Sequence, residues 1–219
     1  AAGVHVTGPL GRDTAPTEAD AVLLCVPDGE IATAAAVVPA QMPVGHCSGA
    51  TALDVLAGRD AFSVHPLMTV TAESAPTAFA GASAAVVGSS PQMLELARAL
   101  AGRLGMRPIE IAPEDRAAYH AAASIASNFL VTLEGAAERL AAAVGMERQD
   151  LMPLVRATVD NWSKLGAERA LTGPVARGDE LTVAAQRQAI AERAPDLVAL
   201  FDTMVDATRA LATGGALVR

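Results

Sequence analysis

The chain has 219 residues, of which 52% are hydrophobic and 3% aromatic, and its net charge is −8 at pH 7. That suffices for one large domain or two small ones with an aliphatic core, and an acidic chain without a basic run argues against nucleic acid or an anionic membrane as main partner. No apolar run approaches the ~20 residues of a membrane span, no secretory signal is read, and two cysteines, Cys25 and Cys47, give no disulfide framework, which suits a reducing, cytoplasmic setting.

Residues 4–7 read as a strand entered from the tail of a helix, followed by the turn GPLGR. The apolar run DAVLLCV at 20–26 reads as a strand buried on both faces, the pattern of a parallel sheet. Asp28 in the following PDG is expected to cap a helix over 31–38. A short strand at 43–47 ends in HCSGA, a short helix follows at 51–57, and AFSVH at 61–65 is a strand expected to stop at Pro66. Residues 84–88 form a further strand. Ser90 caps a helix over 91–104 with proline at its favoured first position and Gly105 at its end. Residues 107–111 are the last strand. This alternation predicts an α/β fold with a doubly wound parallel sheet over 1–112.

From 113 to 219 no strand signal recurs, which predicts an all-helical second domain. Its first helix begins near Glu114 and Asp115, and its best-defined stretch is 119–146. Leu130, Leu133, Ala137, Leu140 and Val144 form one stripe of that stretch, expected as core or dimer contact, and His120, Ser124, Ser127 and Asn128 form a polar face nearly opposite. Further helices are expected over 148–165, closed by Gly166, from a cap at Asp179 to 193, and from Pro195 to 212, with a frayed tail.

Ligands of open α/β sheets bind outside the carboxyl ends of the strands. VPDGE, HCSGA and HPLMT sit at three such ends, with His46 and His65 at two of them. Each histidine is either a hydrogen-bonded turn residue or part of a site, and the polar helix face strengthens the second reading. No metal site is expected, because His46, His65 and His120 lack ligand spacing and free cysteines are commonly buried instead. Ser48 lacks the GxSxG setting of a nucleophile. In ALTGPVARGD, Thr172 and Arg177 lie in a Gly-flanked loop. Arg177 either holds a substrate carboxylate or pairs with Asp179 to shape the turn.

VPD, HCSGA, HPLMT, YHAAASIASN and ALTGPVARGD, in that order, resemble a Rossmann-like family with an uncharacterised helical C-terminal domain. The resemblance extends to the superfamily of 6-phosphogluconate dehydrogenase, ketopantoate reductase, prephenate dehydrogenase and pyrroline-5-carboxylate reductase. It implies an NADP (or NAD) cofactor, a homodimer through the long helices, and an active site in the cleft between the two domains. It places Val26, Pro27 and Asp28 along the cofactor, His46, Ser48 and Gly49 beside the nicotinamide, and His65 and Pro66 on the opposite lip. It matches Asn128 to a substrate-holding asparagine. Related reductases often carry a proton-donating lysine one turn before it, and here that position is Ser124. His120, another turn earlier, is nominated as general acid.

The family opens with a strand, a GxGxxG turn and a helix, because a pyrophosphate needs close backbone approach. This sequence has none: either it is a fragment beginning in mid-helix, which is the favoured reading, or the phosphate cradle has been lost. Arg12 would then read the 2′-phosphate of NADP or be a solvated turn residue. The function expected is reduction of a small 2-oxo acid, ketopantoate-like, or an imine, by hydride transfer. The alternatives are a non-catalytic dimeric module that binds a nucleotide or metabolite, and an enzyme of the prephenate dehydrogenase or pyrroline-5-carboxylate reductase type.

Overall fold

The computed structural model describes residues 3–11 and 13–214. Arg12 therefore lies outside the described residues, as does the tail beyond 214. Two compact units divide the chain, Ala1–Asn128 and Phe129–Arg219.

The first unit is built on five strands, β1 (Val22–Leu24), β2 (Val44–His46), β3 (Ala61–Leu67), β4 (Ser83–Gly88) and β5 (Arg107–Glu110), which neighbour one another in that order. The pairs β1–β2, β2–β3 and β4–β5 are parallel, and β3–β4 is antiparallel. The sheet is thus mostly parallel, not wholly so as the sequence suggests. The cause is the link from β3 to β4, which holds a 3₁₀ turn (Pro76–Phe79) and no crossover helix.

Alternation along β3 separates two apolar clusters. Phe62 and Val64 pack with Met93, Ala97 and Ala101 of α2 (Pro91–Arg103). Ala61 packs instead with Leu24, Val44 and Leu56, and with Ile31 and Ala35 of α1 (Ile31–Ala36). Successive strand residues point to opposite faces, so each face of the sheet has its own core. Ser90 caps α2 as expected, its side chain accepting from the Met93 N–H.

Several local expectations are corrected. Residues 4–7 belong to no strand, and Val6 is 75% exposed. A strand with no neighbour leaves its backbone groups and apolar side chains to water. The expected helix at 51–57 is one 3₁₀ turn, Leu53–Leu56. Strand β3 runs through Pro66, which pairs with Ala84. Pairing with β2 ends at Ser63, so beyond it β3 has a strand neighbour on one side only, where proline is tolerated. Asp28 opens a 3₁₀ turn (Asp28–Glu30) and caps no helix with its side chain.

The long helical stretch enters through the turn Pro113–Asp115 and continues as α3 (Arg116–Ser124). A π-helical turn (Ile125–Phe129) follows, then α4 (Leu130–Ala142). A regular helix was expected throughout. One π turn spreads its rotation over an extra residue and so turns everything after it back by about 100°. The single polar face read from the wheel is therefore broken between Ser124 and Asn128. The division into units falls in this turn, later than the boundary at 112 and 113 read from the sequence, because α3 is tied to the sheet unit by the contacts described below.

The second unit comprises α4, α5 (Arg148–Leu165), α6 (Ala167–Ala170), α7 (Glu180–Arg193) and α8 (Val198–Ala212). Asp179 caps α7, accepting from the Thr182 N–H. The core is thin. Ala141, Val183, Ile190, Ala194 and Val205 are its buried hydrophobics, whereas Leu133, Ala137 and Leu140 are only half-buried and Leu130 and Val144 are exposed. The leucine stripe is not core within this chain. No helix among the described residues is long and apolar enough to cross a membrane.

Candidate functional site

Because β1, β2 and β3 are parallel, their carboxyl ends share one edge of the sheet. The chain leaves that edge at Cys25–Asp28 and at Cys47–Ala50, and β3 carries His65 and Pro66 past it. Val26, Pro27 and Asp28 are exposed there, and His46, Ser48 and Gly49 are buried.

Ser48 organises the edge. Its hydroxyl donates to Asp28 Oδ2 at 2.7 Å and accepts from the N–H groups of Ala50 and Thr51 at 3.2 and 2.8 Å. One donor and two acceptor positions are all a serine hydroxyl has, so this group holds two turns together and is not poised as a nucleophile. Asp28, expected to cap a helix, spends its carboxylate on this bond. The Ser48 N–H donates to His46 Nδ1 at 3.2 Å. His46 is therefore the tautomer protonated on Nε2.

His46 is fully buried, and Nε2 has no hydrogen-bond partner among the described residues. Its pKa is lowered from 6.5 to about 4, chiefly by burial and next by the Arg116 charge, with Asp28 and the Ala52 backbone pulling the other way. His46 is thus neutral at physiological pH, and this carries a stability consequence. An unfolded histidine titrates near 6.5, so between 6.5 and 4 the unfolded state binds more protons than the folded state. Stability present above pH 6.5 is lost as pH falls towards 4. From pH 7 to pH 5 the loss should be about 2 kcal/mol, read as a lower urea midpoint. His65 adds to it in the same direction. His46→Gln should flatten the dependence, and an equally steep one would remove His46 as its origin.

Arg116 is the residue that sequence reading missed. It opens α3, where a cation opposes the helix dipole, and that misfit is the signal by which it stands out. The side chain is buried, and Nη2 donates to the Ser48 carbonyl at 2.6 Å. Nε is buried without a hydrogen-bond partner among the described residues. Burial lowers the Arg116 pKa, while Tyr119 and Asp28 raise it. A buried charged hydrogen bond of this kind contributes about 1.5–3 kcal/mol.

One turn along α3, the Tyr119 hydroxyl lies 2.7 Å from His65 Nδ1. Tyr119 is the chain's sole tyrosine and the immediate neighbour of the nominated His120, yet it drew no role from the sequence. The His65 ring lies edge-on to both Tyr119 and His120, with centroids 5.6 and 6.1 Å away. Burial first, then His120 and Arg116, lower the His65 pKa, against a weaker opposing pull from Asp28. Gly49 completes the cluster. A Cβ there would lie 2.7 Å from His65 Cε1 and 2.8 Å from His120 Cδ2, so both imidazoles pack directly against the bare backbone.

The structure therefore brings Asp28, His46, Ser48, Gly49, His65 and His120 together and adds Arg116 and Tyr119. Pro66 follows His65 within β3. Ser124 is half-buried at the end of α3, and Asn128 is exposed in the π turn. Thr172 and Arg177 are exposed in the second unit. Among the described residues Asp179 makes no hydrogen bond or close ion pair with Arg177. It accepts from Thr182 N–H and Oγ1 at 3.1 and 2.7 Å, and that contact, more than the Arg177 charge, lowers its pKa. Cys25 is exposed and Cys47 half-buried, which corrects the expectation of buried cysteines. Among the described residues no three His, Cys, Asp or Glu side chains gather as a metal site requires.

A mostly parallel five-stranded sheet followed by helices defines a Rossmann-like fold. Residues 83–208 match the family described as Domain of unknown function (DUF2520), and the chain belongs to that family. None of the curated proteins matches. Among solved structures the chain is similar to protein TM1727 from Thermotoga maritima, at 28% identity and a TM-score of 0.79 over 90% of this chain and 81% of that one. It is similar to BF3122 from Bacteroides fragilis, named a "putative NADP oxidoreductase", at 19% identity and a TM-score of 0.78 over 87% and 75%. It also resembles 1-pyrroline-5-carboxylate reductase from Streptococcus pyogenes, at 16% identity and a TM-score of 0.54 over 89% and 76%.

Proposed function

We propose that the chain is an oxidoreductase of the 6-phosphogluconate dehydrogenase and ketopantoate reductase superfamily, using NADP or NAD to reduce a small 2-oxo acid or imine. The observation that carries this reading is the cluster of His65, His120 and Tyr119 gathered against the bare Gly49 backbone, at the carboxyl edge of three parallel strands. Ligands of open α/β sheets bind at this edge. The residues present fit the nicotinamide half of a dinucleotide. The pyrophosphate half asks for a glycine turn opening a helix, and no residue of this chain is assigned to it.

A nicotinamide bound there would supply hydride to the substrate carbon. The chain's own part is the proton. An imidazole carries protons near neutrality, and His120 would give one to the substrate oxygen or nitrogen. His65, fixed by Tyr119, holds its ring against His120. Arg116 and Asp28 hold the Ser48 turn in place from two sides, and Ser124 and Asn128 would orient the substrate. NADP is favoured over NAD by the sequence position of Arg12 and by the name of the Bacteroides fragilis neighbour. A homodimer through the helical unit is favoured by its exposed Val131, Leu154 and Trp162, which are 71%, 66% and 57% accessible.

The test is NADPH oxidation by the full chain with a panel of 2-oxo acids and cyclic imines. His120→Ala should lower kcat by about 10²–10⁴-fold and leave the NADPH Kd unchanged. Unchanged turnover would remove His120 from the chemistry. The second reading, a non-catalytic binding module, is favoured by Ser124 standing where related reductases carry lysine. Tight NADPH binding with no turnover on any substrate would select it.

A further inference from the structure

Cys25 and Cys47 take no part in the reaction proposed above, yet they are placed together. β1 and β2 pair in parallel up to Leu24 opposite His46. The next residue of each strand is a cysteine, and the two Sγ atoms lie 4.0 Å apart. Neighbouring parallel strands run about 4.8 Å apart, within the Cα separation that a disulfide spans, and the sulfurs need to close to about 2.05 Å. Both residues sit where the strands give way to turns, so side-chain rotation and local backbone freedom can supply that movement.

The two thiols are not equivalent. Cys25 is exposed and Cys47 is half-buried. The hydrogen bond between the two sulfurs lowers the Cys25 pKa to about 6, against the opposing effect of burial. The same contact, with burial added, raises the Cys47 pKa. The outer sulfur is the one a small reagent reaches first, and the inner one lies behind it, 4.0 Å away, where it can reach a bond formed at Cys25.

We propose that Cys25 and Cys47 form a reversible intramolecular disulfide by exchange with a low-molecular-weight disulfide such as oxidised glutathione, Cys25 attacking and Cys47 resolving. The Cys25 thiolate attacks one sulfur of the small disulfide, whose S–S bond breaks and releases one small thiolate. That thiolate takes the Cys47 proton. Cys47 then attacks the Cys25 sulfur and releases the second small thiolate. Two protein thiols lose two electrons in all, and one small disulfide gains them as two thiols. Excess small thiol reverses the sequence.

The tie would join the same two turns that the Ser48–Asp28 hydrogen bond joins, because Cys25 precedes Val26–Pro27–Asp28 and Cys47 stands between His46 and Ser48. The disulfide does not depend on the cofactor reading, and its test needs no enzymatic activity. The full chain is incubated with oxidised and reduced glutathione at set ratios, quenched with acid, and its intact mass and peptide map are recorded. A monomer lacking two hydrogens, with both thiols unreactive and a 25–47 crosslinked peptide, is expected, and reduced glutathione should restore it. Cys47→Ser should stop at a mixed disulfide on Cys25. In the reduced wild type, iodoacetamide at neutral pH should label Cys25 about tenfold faster than Cys47. A persistent mixed disulfide in the wild type, a crosslink between two chains, or faster labelling of Cys47 would overturn the proposal.

Discussion

Gly88→Ala should destabilise the sheet unit by about 3 kcal/mol or more, beyond the usual range for one added methylene in a packed core. Gly88 ends β4 opposite Phe62. A Cβ there would lie 2.1 Å from Leu94 N, 2.6 Å from Leu94 Cα and 2.6 Å from the Met93 carbonyl carbon. These are backbone atoms of the first turns of α2, so no side chain can swing aside. The helix itself must move, and it carries Met93, Ala97 and Ala101 into the core against Phe62 and Val64. Gly102→Ala is the matched control, since it lies in the same helix with nothing within 4 Å of its added Cβ. It should be neutral or stabilising by up to about 1 kcal/mol. Urea unfolding of the pair checks the claim, and similar midpoints would mean that α2 does not pack on β4 as described.

The match between sequence and structure follows the range of the forces involved. Helix α2 is legible because its stop and start are local: Ser90 caps it and Pro91 takes its first position. Helices α5 and α7 are legible for the same reason, through Gly166 and the Asp179 cap. Two of the misses are decided from a distance. Asp28 looks like a cap, but Ser48, twenty residues on, competes for its carboxylate and wins. Pro66 looks like a stop, but a strand with only one neighbour tolerates it. The π turn at Ile125–Phe129 has no local code in IASNF. At the site, His46, Gly49 and His65 were readable as strand ends because strand ends are readable. Arg116 and Tyr119 were not, because their roles come from α3 docking on the sheet edge, a tertiary contact between residues 54 and 68 positions apart.

That docking also explains why the two histidines with lowered pKa sit where they do. The Arg116 charge lies among His46, His65 and Tyr119, and burial already disfavours a second cation there. The site edge therefore holds one permanent positive charge, on a guanidinium that cannot release a proton at neutral pH, and keeps His46 and His65 neutral around it.

Gly49→Ala should separate folding from chemistry. Its Cβ would meet His65 Cε1 at 2.7 Å, His65 Nε2 at 2.8 Å and His120 Cδ2 at 2.8 Å. Unlike the neighbours of Gly88, these are far ends of side chains at a partly open edge, so the rings can be pushed apart by several tenths of an ångström while the backbone stays in place. The stability cost should stay near 1–2 kcal/mol, and the urea midpoint should fall much less than in Gly88→Ala. On the proposed reductase reading, displacing His120 on that scale should lower NADPH-linked turnover by about 10²-fold. The His65 and His120 imidazole resonances should shift together, and the His65–Tyr119 bond should weaken as the ring is pushed off its partner. A variant that folds, shifts both resonances and turns over at the wild-type rate would show that the ring pair is not where the reaction takes place. One that folds with both resonances unmoved would show that neither ring packs against Gly49, and the site would have to be sought elsewhere along the sheet edge.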